Sequence, residues 1–362
     1  MSNAFDVWEG TNAVIKVVGI GGGGNNAVNR MIEYGLDGVE YIAVNTDTQT
    51  LRMSLAPNKV QIGPKTTRGL GAGAMPELGR KSAEESKDIL AEMLSGANLI
   101  FLACGMGGGT GTGAIPVVAD IAKELGALTI AIVTRPFSFE GDKRMIIADK
   151  GIESLQENVD AMITISNDRL FEATNKNTPL TEAFLMVDDI LRQAVEGITT
   201  IINVSGLVNV DFADVKTIMS NAGTAWMGIG QAKGENRAEE AANQAITSPL
   251  LDASLKGSTG LLVNCIGGKD FKISEANEVA RLITRKVEGS ANIVWGAVID
   301  KSLEDELKVI TIATGFEAKQ TSDRAGITIK PKIRSGDLDE LVSGKELDIP
   351  PFLQKKKGAG GS

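Results

Sequence analysis

The chain has 362 residues, 43% apolar and 23% charged, which suits two packed domains with an appendage and excludes both a single small module and a largely disordered polymer. Its 37 basic and 46 acidic residues give a formal charge of −9, which argues against a dedicated nucleic-acid binder. There is no histidine and there are two cysteines, Cys104 and Cys265, so Ser-His-Asp triads, Cys-His dyads, His-bearing zinc sites and Cys₄ zinc sites are excluded.

Any catalysis therefore falls to carboxylates, Lys, Arg, backbone amides or a hard metal ion. The N-terminal stretch carries Asp6 and Glu9 before its first apolar run, and no uninterrupted apolar run reaches about 18 residues, so neither a signal peptide nor a membrane span is expected. Two isolated cysteines do not make a disulfide framework, and a reducing cytoplasm is the expected compartment.

Along the first 135 residues one unit repeats, in which a β-branched apolar run ends in glycines and opens into a helical pattern; this is α/β periodicity. Residues 13–20 (AVIKVVGI) read as a strand, followed by Gly21 to Gly24 and a helix marked by Val28, Met31 and Ile32 with Gly35 as its C-cap. Strands are expected at 41–45, 99–104, 129–133 and 159–165. A second glycine-rich loop, GMGGGTGTG (105–113), leads into a helix carrying Val117, Val118, Ile121, Ala122 and Leu125. From Pro179, expected at the first helical position with Thr178 as cap, apolar residues recur every three or four positions from Leu180 to Ile201 and predict one long buried helix between domains. Residues 221–318 read as a second α/β layer with strands near 261–266, 293–299 and 309–314; a polar linker follows.

Gly19, Gly21 and Gly24 satisfy GxGxxG between a strand and a helix, and Asp47 ends the next strand where a ribose-binding acid would sit, so the first loop alone points to a dinucleotide. The second loop shifts that reading. Sheets of this class bind ligands at the C-terminal ends of their strands, and two glycine-rich turns there, each backed by a helix N-terminus, suit a longer phosphate chain. The absence of GK[ST] after the glycines excludes a Walker A loop.

The loop GGGTGTG resembles the tubulin signature, and its surroundings resemble the FtsZ family of bacterial division GTPases. The likeness is carried by GGGGNNAVNRM (21–31), AVNTD (43–47), TRGLGAGA (67–74), TRPFSFEGDKR (134–144), NDRL (167–170), NVDFADVKTIM (209–219) and ATGF (313–316), and spans residues 12–318. It implies a Rossmann-like parallel-sheet GTP-binding domain over 12–177, a central helix over 178–203 and a C-terminal α/β domain over 204–318. A flexible linker over 319–345 and an adaptor-binding tail peptide over 346–357 complete the division.

By the same resemblance, Gly21, Gly22, Gly23 and Asn26 lie under the phosphates, and Ala72 and Gly73 close near the γ-phosphate. Gly105, Gly107, Gly108, Gly109, Thr110, Gly111, Thr112 and Gly113 wrap the β- and γ-phosphates, Glu140 and Arg144 meet the ribose and phosphates, and Asp47 is kept with this set. Asn167, Phe184 and Asp188 are the implied guanine contacts. Mg²⁺ is expected through the phosphates. Asn209, Asp211 and Asp214 are implied as the groups that polarise the attacking water in the pocket of the next subunit of a head-to-tail homopolymer. From the residues alone, Asp211 and Asp214 also fit an N-cap with a second acid favouring the helix dipole, and Glu140 and Arg144 fit an exposed i,i+4 pair. The tail DIPPFL implies membrane-attached division adaptors as partners and a mid-cell location, with no membrane insertion of its own. Two alternatives stand beside this reading: an NAD-dependent oxidoreductase and a nucleotide-binding scaffold without turnover.

Overall fold

The computed structural model describes residues 13–172, 178–204, 207–208, 210–248, 250, 257–287 and 291–316. Asn209, the linker 319–345 and the tail 346–357 lie outside the described residues.

Ten strands form one sheet: β1 (Ile15–Ile20), β2 (Glu40–Asn45), β3 (Asn58–Gln61), β4 (Leu99–Gly105), β5 (Leu128–Arg135), β6 (Ala161–Ser166), β7 (Gly223–Lys233), β8 (Gly260–Gly267), β9 (Asn292–Ile299) and β10 (Glu306–Thr314). Their order is β3-β2-β1-β4-β5-β6-β7-β10-β8-β9. The pairs from β3 to β6 are all parallel, and every residue of β1 is buried, as expected where helices cover both faces. Alternation then sorts side chains to the two faces: Ile15 and Val17 of β1 join Leu99 and Phe101 of β4 on one side, while Val18 and Ile20 join Ile100, Leu102 and Cys104 on the other.

The expected second layer continues the first sheet. Gly223, Thr224 and Ala225 at the start of β7 pair in parallel with β6, and from Trp226 to Lys233 the same strand pairs antiparallel with β10. Helices Arg237–Ile246 and Ile273–Thr284 cover the outer face of that half around Ala241, Ala245, Val279 and Ile283.

The long helix runs Leu180–Asn203. Its cap differs from expectation by one residue: Pro179 is itself the N-cap, in extended conformation, and its carbonyl accepts from Ala183 N at 3.0 Å. Along one stripe, Val187, Leu191, Ala194, Ile198 and Ile201 pack into a core that also holds Leu262 and Ile266 of β8 and Ile310 and Ile312 of β10. This spine therefore contributes to the cores of both halves. Among the described residues no helix is long and apolar enough to cross a membrane.

Candidate functional site

At its C-terminal end β1 turns directly into helix Gly21–Tyr34, and β4 passes through the short loop 106–109 into helix Thr110–Glu124. Neither helix has a side-chain cap, so the N–H groups of both first turns carry their partial positive charge to the same sheet edge. The loops behind them are locked together. A methyl group at Gly109 would lie 2.2 Å from the Gly73 carbonyl oxygen and 2.9 Å from that of Ala72, so only glycine lets these strands of backbone touch. The Thr112 hydroxyl accepts from Gly107 N at 2.8 Å, and the Thr110 hydroxyl is 2.6 Å from that of Thr46, which is fully buried.

Beside this edge lies a cavity of about 320 Å³. Nine residues singled out from the sequence line it: Gly22, Gly23, Asn26, Gly105, Glu140, Arg144, Asn167, Phe184 and Asp188. Gly21, Ala72, Gly73 and the stretch from Gly107 to Gly113 do not line the cavity. Asp47 is also outside it: its carboxylate caps helix Thr48–Met53, Oδ1 accepting from Gln49 N at 2.8 Å and Oδ2 from the Thr50 hydroxyl at 3.1 Å. The cavity also uses Met106, Thr134, Pro136, Val187 and Leu191, which the sequence reading did not assign to the site. Val187 and Leu191 had a signal, since they share the helical face of Phe184 and Asp188, but their apolar character reads equally as core.

Three features define the cavity's chemistry. Phe184 is 42% exposed and meets Phe137 edge-on at 5.4 Å, leaving an open aromatic face. Asn167 is 5% exposed, and its Oδ1 is buried without a hydrogen-bond partner among the described residues. Burial pushes the Asp188 carboxyl up to about 7, with Arg30 pulling the other way. Such an orphaned acceptor and poorly compensated carboxylate favour a ligand bearing N–H donors. At the other side, Glu140 accepts from Arg144 Nη1 at 2.7 Å and from Phe137 N at 2.9 Å, so the i,i+4 pair forms and faces the cavity at once.

The acidic pair sits elsewhere. Asp211 is the N-cap of helix Phe212–Met219, yet its side chain makes no capping bond, and both Asp211 and Asp214 are exposed. Neighbouring Val210 packs with Ile201 against Gly296. Ile201 is 17 residues along the spine from Phe184, which at about 1.5 Å rise per residue is a separation of roughly 25 Å along the helix axis. Asp211 and the cavity thus belong to opposite ends of one helix.

The profile of the Tubulin/FtsZ family GTPase domain matches residues 14–175, and that of the FtsZ family C-terminal domain matches residues 223–317. FtsZ of M. jannaschii, solved as an empty dimer, is 45% identical over 85% of this chain and 89% of its own, with a TM-score of 0.82. The chain belongs to the tubulin/FtsZ family. CetZ2 from Haloferax volcanii, solved as a GTPγS-bound protofilament, shares the fold with a TM-score of 0.72 at 20% identity, covering 85% of this chain and 94% of that one. As a family member the protein is a cytoskeletal GTPase that binds GTP and GDP and hydrolyses GTP, which sets aside both the oxidoreductase and the inert scaffold. Because Gly109 holds the phosphate-side loops together, Gly109→Ala is expected to weaken GTP binding at least tenfold in equilibrium titration, with a preserved circular-dichroism spectrum showing that the fold survives.

Proposed function

We propose that the protein polymerises head to tail and that each GTP, held in the cavity of one subunit, is hydrolysed with the help of Asp211 and Asp214 from the next. The observation that carries this reading is the separation of the two half-sites along the spine helix. A pair of exposed carboxylates beside the far end of a helix whose cavity residue Phe184 and far-end residue Ile201 stand roughly 25 Å apart is poorly placed to act on a nucleotide in its own chain, whereas stacking of identical subunits along that axis brings the two ends together. The uncommitted Asp211 side chain agrees with a task other than capping. M. jannaschii FtsZ was solved as a dimer, which also favours contact between copies.

In this reading Gly22, Gly23 and Gly105 lie against the phosphates, with the stretch from Gly107 to Gly113 and Ala72–Gly73 closing around them. Phe184 covers the guanine face, while Asn167 and Asp188 take its donors. Glu140 and Arg144 face the ribose and phosphates; Gly21 and Asn26 join the glycines under the phosphates, and Asp47 is kept with the nucleotide-binding set. Asp211 and Asp214, with Asn209, polarise a water that attacks the γ-phosphorus; the bond to the β–γ bridging oxygen breaks, leaving GDP and phosphate. Mg²⁺, a hard cation suited to phosphate oxygens, would spread the charge developing on the phosphates. The domain division drawn from the sequence is retained, with residues 346–357 recruiting membrane-attached adaptors and the filament serving the division ring.

A shared site requires assembly. Specific GTPase activity is expected to be negligible below a threshold protein concentration and to rise steeply above it. Activity per molecule that stays constant down to high dilution would mean a monomer holds the whole site.

A further inference from the structure

The spine helix brings Asp188 to the wall of the cavity, one residue from Val187 and a turn from Phe184. Among the described residues no hydrogen bond reaches its carboxylate. Of the charged groups near it, Arg30 from helix Gly21–Tyr34 attracts it without bonding it: its Nε is buried with no hydrogen-bond partner among the described residues, and its contacts to Asp189 and Glu33 are each at 3.9 Å. Arg192, one turn on, is bonded to Asp189 at 2.7 Å and Glu196 at 2.9 Å, and across the cavity Arg144 is bonded to Glu140. An ionised Asp188 is therefore a desolvated charge with no donor of its own, and burial raises its carboxyl to about 7.

Guanine supplies what is missing. Its N1–H and 2-amino group donate side by side to the two oxygens of a carboxylate, and a proton on either oxygen would oppose one of those donors. We propose that guanine-nucleotide binding is coupled to loss of the Asp188 proton: the unpartnered carboxyl in the nucleotide-free cavity holds the proton, and the base enters by displacing it to solvent. The balance is one carboxylic acid and one nucleotide giving one hydrogen-bonded carboxylate complex and one released proton. This rests on the assignment of Asp188 as a base contact. Proton competition at a midpoint near 7 then makes GDP bind about tenfold more weakly at pH 6 than at pH 8 through this group.

The test is a carboxyl-carbon NMR titration of the full chain labelled with ¹³C-aspartate, the Asp188 signal being identified by its loss in Asp188→Asn. The expected midpoint is near 7 without nucleotide and below about 5 with saturating GDP. A second reading needs no ligand. With the folded pKa raised above the ordinary 3.8, the burial penalty is absent below that value and complete above 7, so Asp188→Asn should gain Tm over wild type progressively from pH 4 to pH 7. A midpoint that GDP does not move, or a Tm difference flat with pH, overturns the inference while leaving GDP binding intact. Failure of GDP to bind at pH 8 would remove the base-contact assignment itself.

Discussion

Asp211→Ala and Asp214→Ala should each keep GTP binding and thermal stability while losing hydrolysis by about 10² to 10⁴-fold, the range typical of positioned acid–base groups. The stability half of this expectation follows from the structure. Both side chains are exposed, and Asp211 occupies the N-cap of helix Phe212–Met219 without making the bond that would reward an aspartate there. An alanine at a cap whose side chain is idle forgoes little beyond the dipole contribution, a few tenths to about 1 kcal/mol. The hydrolysis half follows from the two ends of the spine. Each mutant still offers an intact cavity to its neighbour but a defective loop to the next, so mixing it into wild-type protein should silence junctions in proportion to its fraction. Steady-state GTPase assays across mixing ratios, with nucleotide binding measured on the same samples, check both halves. Near wild-type hydrolysis by both mutants would reduce the two acids to bystanders at a helix start.

What could be read from the sequence follows what leaves a local signature. The longer strands of the parallel half are largely apolar runs, β1 and β4 leading into glycines, and the spine shows about six turns of apolar periodicity, so their positions were legible to within one or two residues. β3 was not, because a four-residue strand with Val60 as its one apolar member has no pattern to detect. β7 was hidden for a different reason. Its glycines at 228 and 230 resemble loop composition, but a Cβ at either would come within 1.9 Å of the Ala245 or Ala241 carbonyl oxygen of helix Arg237–Ile246. The strand gave up β-forming side chains so that a helix could lie against its backbone, a tertiary demand with no local trace.

The site divides in the same way. Glycine-rich turns announce a phosphate-binding edge by composition, and the carboxylate and aromatic at 188 and 184 share a face by simple helical spacing. The lining by Thr134, Pro136 and Met106 depends on how β4 and β5 end relative to the spine. Asp47 shows what spacing alone leaves out: its place at the end of β2 fits a ribose acid, and its oxygens also cap the helix that follows. Sequence spacing gives adjacency to a site; hydrogen bonds decide whether the group is free to use it.

Arg192→Ala should be the most destabilising single substitution among the charged residues of the spine, costing about 3–5 kcal/mol, the range for stripping one partner from a buried ion pair. The guanidinium is 4% exposed and does three things at once. Its Nε donates to Asp189 at 2.7 Å, its Nη1 donates to Glu196 at 2.9 Å, and its plane lies 3.7 Å over the Tyr34 ring at the end of helix Gly21–Tyr34. Glu196 also accepts from Lys308 of β10 at 2.7 Å, so the chain of contacts ties the spine to the first helix on one side and to the antiparallel half of the sheet on the other. Alanine leaves Asp189 and Glu196 short of a cation and uncovers Tyr34. Lysine is no substitute, since one ammonium cannot serve two carboxylates and a ring from the positions a planar fork reaches. Lys308→Met is the informative control: it keeps an apolar stem against the core and leaves Glu196 paired to Arg192, so its cost should stay near 1–2 kcal/mol. Against a total stability of about 5–15 kcal/mol, the larger loss predicts a fall in Tm on the order of 10 °C and a clear drop in the urea midpoint, both measurable without nucleotide. If Lys308→Met proves as damaging as Arg192→Ala, the seam is organised around Glu196, and the guanidinium is only one of its two counter-charges.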